Sequence, residues 1–207
     1  MSKISIQYLG HSCFKVSYQQ DAIVLDPYAD DSVPGLALPS VTAGQVHCSH
    51  QHSDHNAADL VKIVPCEKQI SYEGIMVPHD DAEGAKRGMC EAIKLHAGSC
   101  TIEHLGDLGR LLTDKEQTFL QGCDVLMIPC SGYFTIDAQQ ARKVIEQIKP
   151  KLTILMHFRR GNTGYPVTAD FDAVKAVFTE AEDREKSTIT FDEDHVPEGV
   201  LILKPQQ

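Results

Sequence analysis

The sequence predicts an α/β (α+β) fold, with two packed β-sheets and helices outside. Three observations predict it. The chain opens with short strands of alternating polarity, its second half switches to a strand–helix–strand–helix rhythm, and no linker, repeat or low-complexity segment divides its 207 residues. A single domain over 1–207 follows, long enough to bury a sizeable core.

Ile4, Ile6 and Tyr8 alternate with polar neighbours, and Phe14, Val16 and Tyr18 do the same, the period of a half-buried strand. Gln19-Gln20-Asp21 turns the chain into Ala22-Ile23-Val24-Leu25, which makes the start an antiparallel meander. Residues 28–43, with Pro34, Gly35 and Pro39, read as a loop. A short helix is expected from Asn56, carrying Leu60, Val61 and Ile63. Ile75-Met76-Val77 reads as a strand, and 91–95 with 99–103 as a hairpin around His96-Ala97-Gly98. Thr113 to Glu116 is a capping box that starts a helix through Phe119 and Leu120. Val125–Ile128 and Leu152–Met156 are apolar on both faces, as in buried strands. Between them, Ala141, Val144, Ile145 and Ile148 recur at helical spacing up to Pro150. Ala173, Val174, Val177 and Phe178 mark a further helix, and the charged run 180–186 reads as its solvated end. Ile189 with Phe191, then Val200–Leu203, close the chain as strands.

Composition excludes some functions. A formal net charge of -10 argues against a nucleic-acid phosphate track. No apolar run approaches the ~20 residues of a membrane span, and the first residues lack the apolar core of a signal peptide. The seven cysteines are scattered without a Cys-x-x-Cys pair, which suits a reducing compartment. A cytoplasmic protein is therefore expected, acting on a small molecule, anions included, with no nucleic acid, no membrane, and homo-oligomerisation left open.

The chemistry concentrates in His50-Gln51-His52-Ser53-Asp54-His55, four metal-capable side chains in six residues. In an extended segment, residues two apart point the same way, so His50 and His52 can grip one ion. Asp54 and His55 fall where the chain must turn and can reach a second. Further downstream stand His79 after Val77-Pro78, Asp107 after His104-Leu105-Gly106, and His157 after Ile154-Leu155-Met156. Taken singly, each has a structural reading: a histidine at a strand end, or an aspartate in a turn. A histidine-rich set with two carboxylates suits two divalent ions, Zn²⁺ first, with Mn²⁺, Fe²⁺ and Ni²⁺ open. Cys48 would be an extra ligand beyond a complete set. His47 reads as structural, and His96 and His195 as exposed turn residues.

His-x-His-x-Asp-His resembles the metal signature of the metallo-β-lactamase-fold hydrolases. Gly10-His11-Ser12-Cys13-Phe14, Leu25-Asp26-Pro27-Tyr28, His79, Gly106-Asp107 and His157 follow the order that family would require. The resemblance runs from about residue 4 to 168 and is closest to a short, lactonase-like branch that includes L-ascorbate-6-phosphate lactonase. It implies an αββα sandwich of two mixed β-sheets with helices on the outer faces. It also implies that His50, His52 and His79 hold one ion and Asp54, His55 and His157 the other, with Asp107 bridging.

The implied activity is hydrolysis of a small ester, lactone or phosphoester by a water shared between two cations, with Asp54 passing the proton. Flavo-di-iron proteins of that fold carry Glu where this chain has His52, which favours a hydrolase. His79 is preferred over His104 as a ligand because His104 lies three residues before Asp107, and both would have to converge from one tight turn. His11 and His104 are expected to touch substrate or orient a ligand, and Asp26 to accept N–H groups beneath the metal loop. Tyr133, in the rim segment 131–135, is a donor candidate. Arg159 and Arg160 could bind a substrate anion or serve the surface. The rival readings are a phosphodiesterase or nuclease acting on RNA or cyclic nucleotides, and a non-catalytic metal-binding module.

Overall fold

Alternation in the opening residues becomes a meander of β1 (Lys3–Gly10), β2 (Cys13–Tyr18) and β3 (Asp21–Leu25) in a computed structural model that describes residues 2–206. After β4 (Val41–Ala43), β5 (Gln45–His47) pairs with β3 in parallel, and β6 (Val61–Ile63) pairs with β4. A hairpin of β7 (Ile70–Pro78) and β8 (Met89–Ala97) leads into β9 (Cys100–His104). The alternating half then supplies α1 (Asp114–Leu120), β10 (Val125–Pro129), α2 (Ala138–Ile148), β11 (Leu152–Met156) and α3 (Phe171–Val177). It ends in β12 (Glu182–Arg184), β13 (Thr188–Asp192) and β14 (Gly199–Leu203).

Two mixed sheets result, ordered β13-β1-β2-β3-β5 and β12-β14-β11-β10-β9-β8-β7, with β4 and β6 forming a separate two-stranded sheet. They pack face to face over one core in which Ile6, Phe14 and Leu25 of the first meet Leu95, Met127 and Ile154 of the second. Along β10, Val125 and Met127 enter that core while Leu126 and Ile128 face the helices, which explains its unbroken apolarity. α2 lays Ala141, Val144 and Ile148 on this outer face, and Val174 of α3 joins them. The expected cap is present, with Thr113 accepting from the N–H of Glu116, and Asp137 caps α2 in the same way, accepting from the N–H of Gln140 at 2.8 Å. The arrangement is a metallo-β-lactamase-like sandwich.

Three local expectations give way, the first where the expected loop 28–43 ends in β4 because Val41–Ala43 pair with β6. The helix expected from Asn56 is a single 3-10 turn, Ala58–Leu60, followed by β6. None of its three residues is buried, whereas Val61 packs with Val41, Ala43 and Tyr28 on the outer face of the smaller sheet. The two β-branched residues Val61 and Ile63 pair as a strand there instead of continuing a helix. The charged run after α3 holds β12, an edge strand parallel to β14. Buried Ala181 anchors its start, and its charged side chains suit an unpaired edge. Among the described residues no helix is long and apolar enough to cross a membrane.

The sheet directions decide where the chemistry sits. β9, β10 and β11 are parallel, and two antiparallel steps make β7 parallel to β9. In the smaller sheet β1, β3 and β5 share a direction by the same counting. Their carboxyl ends gather at one edge of the sandwich and deliver His11, Asp26, the 50–55 loop, His79, Asp107 and His157 there.

Candidate metal centre

Three of these residues leave their strands with a left-handed backbone: His11 (φ 55), Asp26 (φ 47) and His157 (φ 62). Residues with a Cβ seldom adopt it, and such strain tends to collect at functional sites. Backbone hydrogen bonds hold two of them. The N–H of His157 donates to the carbonyl of His11 at 3.0 Å, tying the sheets together, and that of Asp26 to the carbonyl of His47 at 2.9 Å.

Asp26 organises the motif loop from below. It is fully buried; Oδ1 accepts from the N–H of Ser49 at 2.7 Å and Oδ2 from the Ser49 hydroxyl at 2.7 Å. Because the Ser49 hydroxyl donates to Asp26, it accepts from His50 Nδ1, 2.9 Å away. His55 Nδ1 reaches Asp26 Oδ2 directly at 2.8 Å. His157 Nδ1 stands 3.1 Å from the Ser131 hydroxyl. In each of these three rings Nδ1 has a partner, which leaves Nε2 facing the other donors of the cluster, the usual arrangement behind a metal-ligating histidine.

Among the described residues the donors that open toward the cleft form two groups whose atoms lie within 4.8 Å of one another, His50, His52 and His79, and His11, Asp54, His55 and His157; a third such group, Asp26 with His50 and His55, lies beneath them. Asp107 sits between them, its Oδ2 3.3 Å from Nε2 of His55, His79 and His157 alike. Two glycines make that position accessible. Gly106 (φ +52) approaches Ser49 so closely that a Cβ would lie 2.9 Å from the Ser49 Cβ, and one on Gly109 would lie 2.1 Å from the backbone nitrogen of Asp80.

Electrostatics prepare the cluster for cations. Burial drives His50 down to about 3 and His11 to about 4, and lowers His79 as well, so these rings stay neutral with free lone pairs. Burial also opposes charge on Asp26, Asp54 and Asp107, yet neighbouring histidines hold all three below the usual carboxylate range. For Asp54 the chief of these is His11, 3.2 Å away. His55 goes the other way: Asp107 and Asp26 overcome its burial and raise it well above an ordinary histidine. His55 Nε2, His79 Nδ1, His157 Nε2 and Asp107 Oδ1 are buried without hydrogen-bond partners. Unpartnered ring nitrogens and carboxylate oxygens offer lone pairs that divalent ions would satisfy, so the residues fit a metal centre.

A cleft of about 240 Å³ opens over this cluster, walled by His52, Asp54, His79, Arg87, Phe134 and Tyr165. Tyr133 does not line it. With φ 59 it turns outward and is 64% exposed, while its neighbour Phe134 turns in. His104 does not reach the cleft either. Its Nε2 bonds the Ser12 carbonyl at 2.9 Å, and its Nδ1 accepts from the N–H of Gly106 at 3.1 Å, so it braces the turn carrying Asp107. Arg159 is paired with Asp170 and Arg160 with Asp183, both at 2.8 Å. Cys48 belongs to neither donor group. The sequence reading passed over Tyr165, whose hydroxyl shares its proton between the Ser32 carbonyl at 2.7 Å and Asp54 Oδ2 at 3.1 Å. It also passed over the roles of Ser49, Ser131 and Arg87.

Residues 5–157 match the family described as the beta-lactamase superfamily domain, and the chain belongs to that family. A "UPF0173 metal-dependent hydrolase" of Staphylothermus marinus is 26% identical, over 97% of this chain and 96% of its own length. Among solved structures, a Thermotoga maritima protein described as a candidate Zn-dependent hydrolase of the metallo-β-lactamase superfamily superposes with a TM-score of 0.75. It is 24% identical, with 97% of this chain and 98% of that one covered. An isothiocyanate hydrolase from Delia radicum gut bacteria shares the fold, with a TM-score of 0.67 at 10% identity, over 98% of this chain and 97% of its own.

Proposed function

We propose that this chain is a metal-dependent hydrolase that carries two divalent cations, zinc foremost, and cleaves a small ester, lactone or phosphoester. The observation that carries this reading is the position of Asp107, whose Oδ2 stands 3.3 Å from histidines of both donor groups. His50, His52 and His79 would hold one cation, and Asp54, His55 and His157 the other, with Asp107 shared. When bound, the ions polarise a substrate oxygen and lower the pKa of water. Asp54 takes the proton from the attacking water at Oδ2 and passes it to the leaving group. His11 and Tyr165 hold that oxygen from two sides, at 3.2 and 3.1 Å. Phe134 and Tyr165 wall off solvent, and a cleft of about 240 Å³ suits a small molecule. The names carried by the relatives support the hydrolase reading, and the scattered cysteines support a reducing, cytoplasmic setting.

The test is elemental analysis of protein purified without chelators, followed by a screen of the metal-loaded chain against lactones, phosphodiesters and thioesters. Two equivalents of metal and turnover of a small substrate are expected. A chain that neither contains nor takes up metal overturns the reading.

A further inference from the structure

The chain has six arginines, and five of them face carboxylates. Arg110, Arg142, Arg159, Arg160 and Arg184 each have a guanidinium nitrogen within 3.0 Å of a carboxylate oxygen. Arg87 is the exception. Among the described residues no carboxylate lies within 4.0 Å of its guanidinium, and its side chain donates no hydrogen bond. It is also the arginine that lines the cleft over the metal cluster. In a protein of net charge -10, acidic partners are plentiful. An arginine kept apart from them at the mouth of a reactive site has its fork of donors free for a ligand.

The surrounding chain fixes Arg87 in place. It lies in the loop between β7 and β8, close to the opposite end from His79. Asp80, buried in that loop, accepts from the backbone N–H groups of Ala82, Gly84, Lys86 and Arg87 at 2.7–2.9 Å. The N–H of His79 closes the loop on the carbonyl of Gly88 at 3.0 Å. Arg87 is thus braced by the carboxylate of the residue next to His79, and His79 by the carbonyl of the residue next to Arg87, so their backbone separation is set before any ligand arrives. The Arg87 guanidinium carbon rests 5.5 Å from the ring centre of Phe134, within cation–π reach. Phe134 in turn meets Tyr165 edge to face, with ring centres 5.4 Å apart. The cleft therefore presents reactive donors on its floor, an aromatic wall, and one unpaired cation at its side.

We propose that Arg87 binds a carboxylate or phosphate group of the substrate, so that the enzyme acts on small anionic molecules whose apolar part lies against Phe134 and Tyr165. This rests on the hydrolase reading of the same site. The anion and the scissile group sit at separate places: the anion on Arg87, the bond to be cut over the His52–Asp54–His79 floor.

The test compares 4-nitrophenyl butyrate, which is neutral, with the anionic hemi-ester 4-nitrophenyl hydrogen succinate. Arg87→Gln should lower kcat/KM for the anionic ester by about 10- to 100-fold, mainly through KM, and for the neutral ester by less than about threefold. Arg87→Lys should recover part of the loss, since it keeps the charge without the planar fork. Equal losses on both esters overturn the proposal. If the wild-type chain cleaves neither, the hydrolase reading is left to the metal analysis and the wider substrate screen, and binding decides the proposal. Calorimetry on the metal-loaded wild type and Arg87→Gln would then use benzoate, phenyl phosphate and neutral benzamide. A loss of about tenfold or more for one anion, with benzamide unchanged, upholds the proposal and names the group. Affinities for both anions that are absent or unaltered in the variant overturn it.

Discussion

Asp26 Oδ2 lies 2.8 Å from Nδ1 of His55, with both side chains fully buried. This contact keeps a hydrogen on Nδ1 of His55 and turns Nε2 toward Asp107, 3.3 Å away. The same carboxylate reaches His50 through the Ser49 hydroxyl, so one buried aspartate aims a ring in each donor group.

Asp26→Asn should therefore weaken metal binding at both positions, by about 10- to 100-fold. Ser49→Ala, which removes only the link to His50, should weaken it less. Competition against a chelator of known affinity measures both. An Asp26→Asn chain that binds metal as the wild type does would show that the contact serves folding alone.

His79 and His104 separate cleanly. His79→Ala removes a donor from the His50–His52 group and should cost about one metal equivalent by elemental analysis. His104→Ala should retain both, because its ring nitrogens are bonded to the backbone at Ser12 and Gly106. It should instead destabilise the fold by about 1–3 kcal/mol, leaving those buried groups unpaired. The reverse pattern of metal loss would exchange the two roles.

What could be read in the sequence depended on whether a physical signal was local. β1 and β2 bury mainly one face, and β3, β10 and β11 both, so their patterns carry the assignment. β4, β6 and β12 are three residues each, too short for a period, and exist because a partner strand pairs with them. The six-residue motif was legible because its donors are contiguous. His79, Asp107 and His157 acquired meaning only through the order of motifs that the resemblance supplied. Tyr165 meets Asp54 across 111 positions, and nothing near it in the chain marks that contact. The segment 131–135 reaches the cleft through Phe134, because a positive φ at Tyr133 reverses which of two adjacent aromatic rings enters it.

Asp54 and Tyr165 should differ in kind. Asp54→Ala removes both a donor and the proposed proton carrier, and activity should fall by about 10²- to 10⁴-fold. Tyr165→Phe takes away one of two groups holding Asp54 Oδ2 and should lower kcat by about tenfold or less, with metal content intact. Measured together, kcat and metal occupancy decide the matter. An Asp54→Ala chain that keeps its metals and most of its rate would remove Asp54 from the mechanism.

The metal-free chain should be most stable near pH 6.5 and lose stability on either side. Below that value the unfolded chain protonates its histidines, whereas burial keeps folded His11 neutral down to about 4 and His50 down to about 3. Each such group removes about 1.4 kcal/mol per pH unit as the pH falls, and His79, also lowered, adds to them. Glu103 opposes by one proton: its burial raises it to about 7 despite Lys94 at 3.3 Å, so the folded state holds its proton between the ordinary 4.5 and that value. The net slope remains that of at least one proton, about 1.4 kcal/mol per unit. Above pH 6.5 the sign reverses, because folded His55, raised by Asp107 and Asp26, keeps a proton that the unfolded chain has released. Bound metal would displace that proton and flatten the alkaline limb, since a ligating imidazole is neutral. Thermal unfolding midpoints from pH 4.5 to 9, with chelator and with metal, measure both limbs. A chelated chain whose midpoint climbs steadily from pH 6.5 to 9 would contradict the charge assigned to His55.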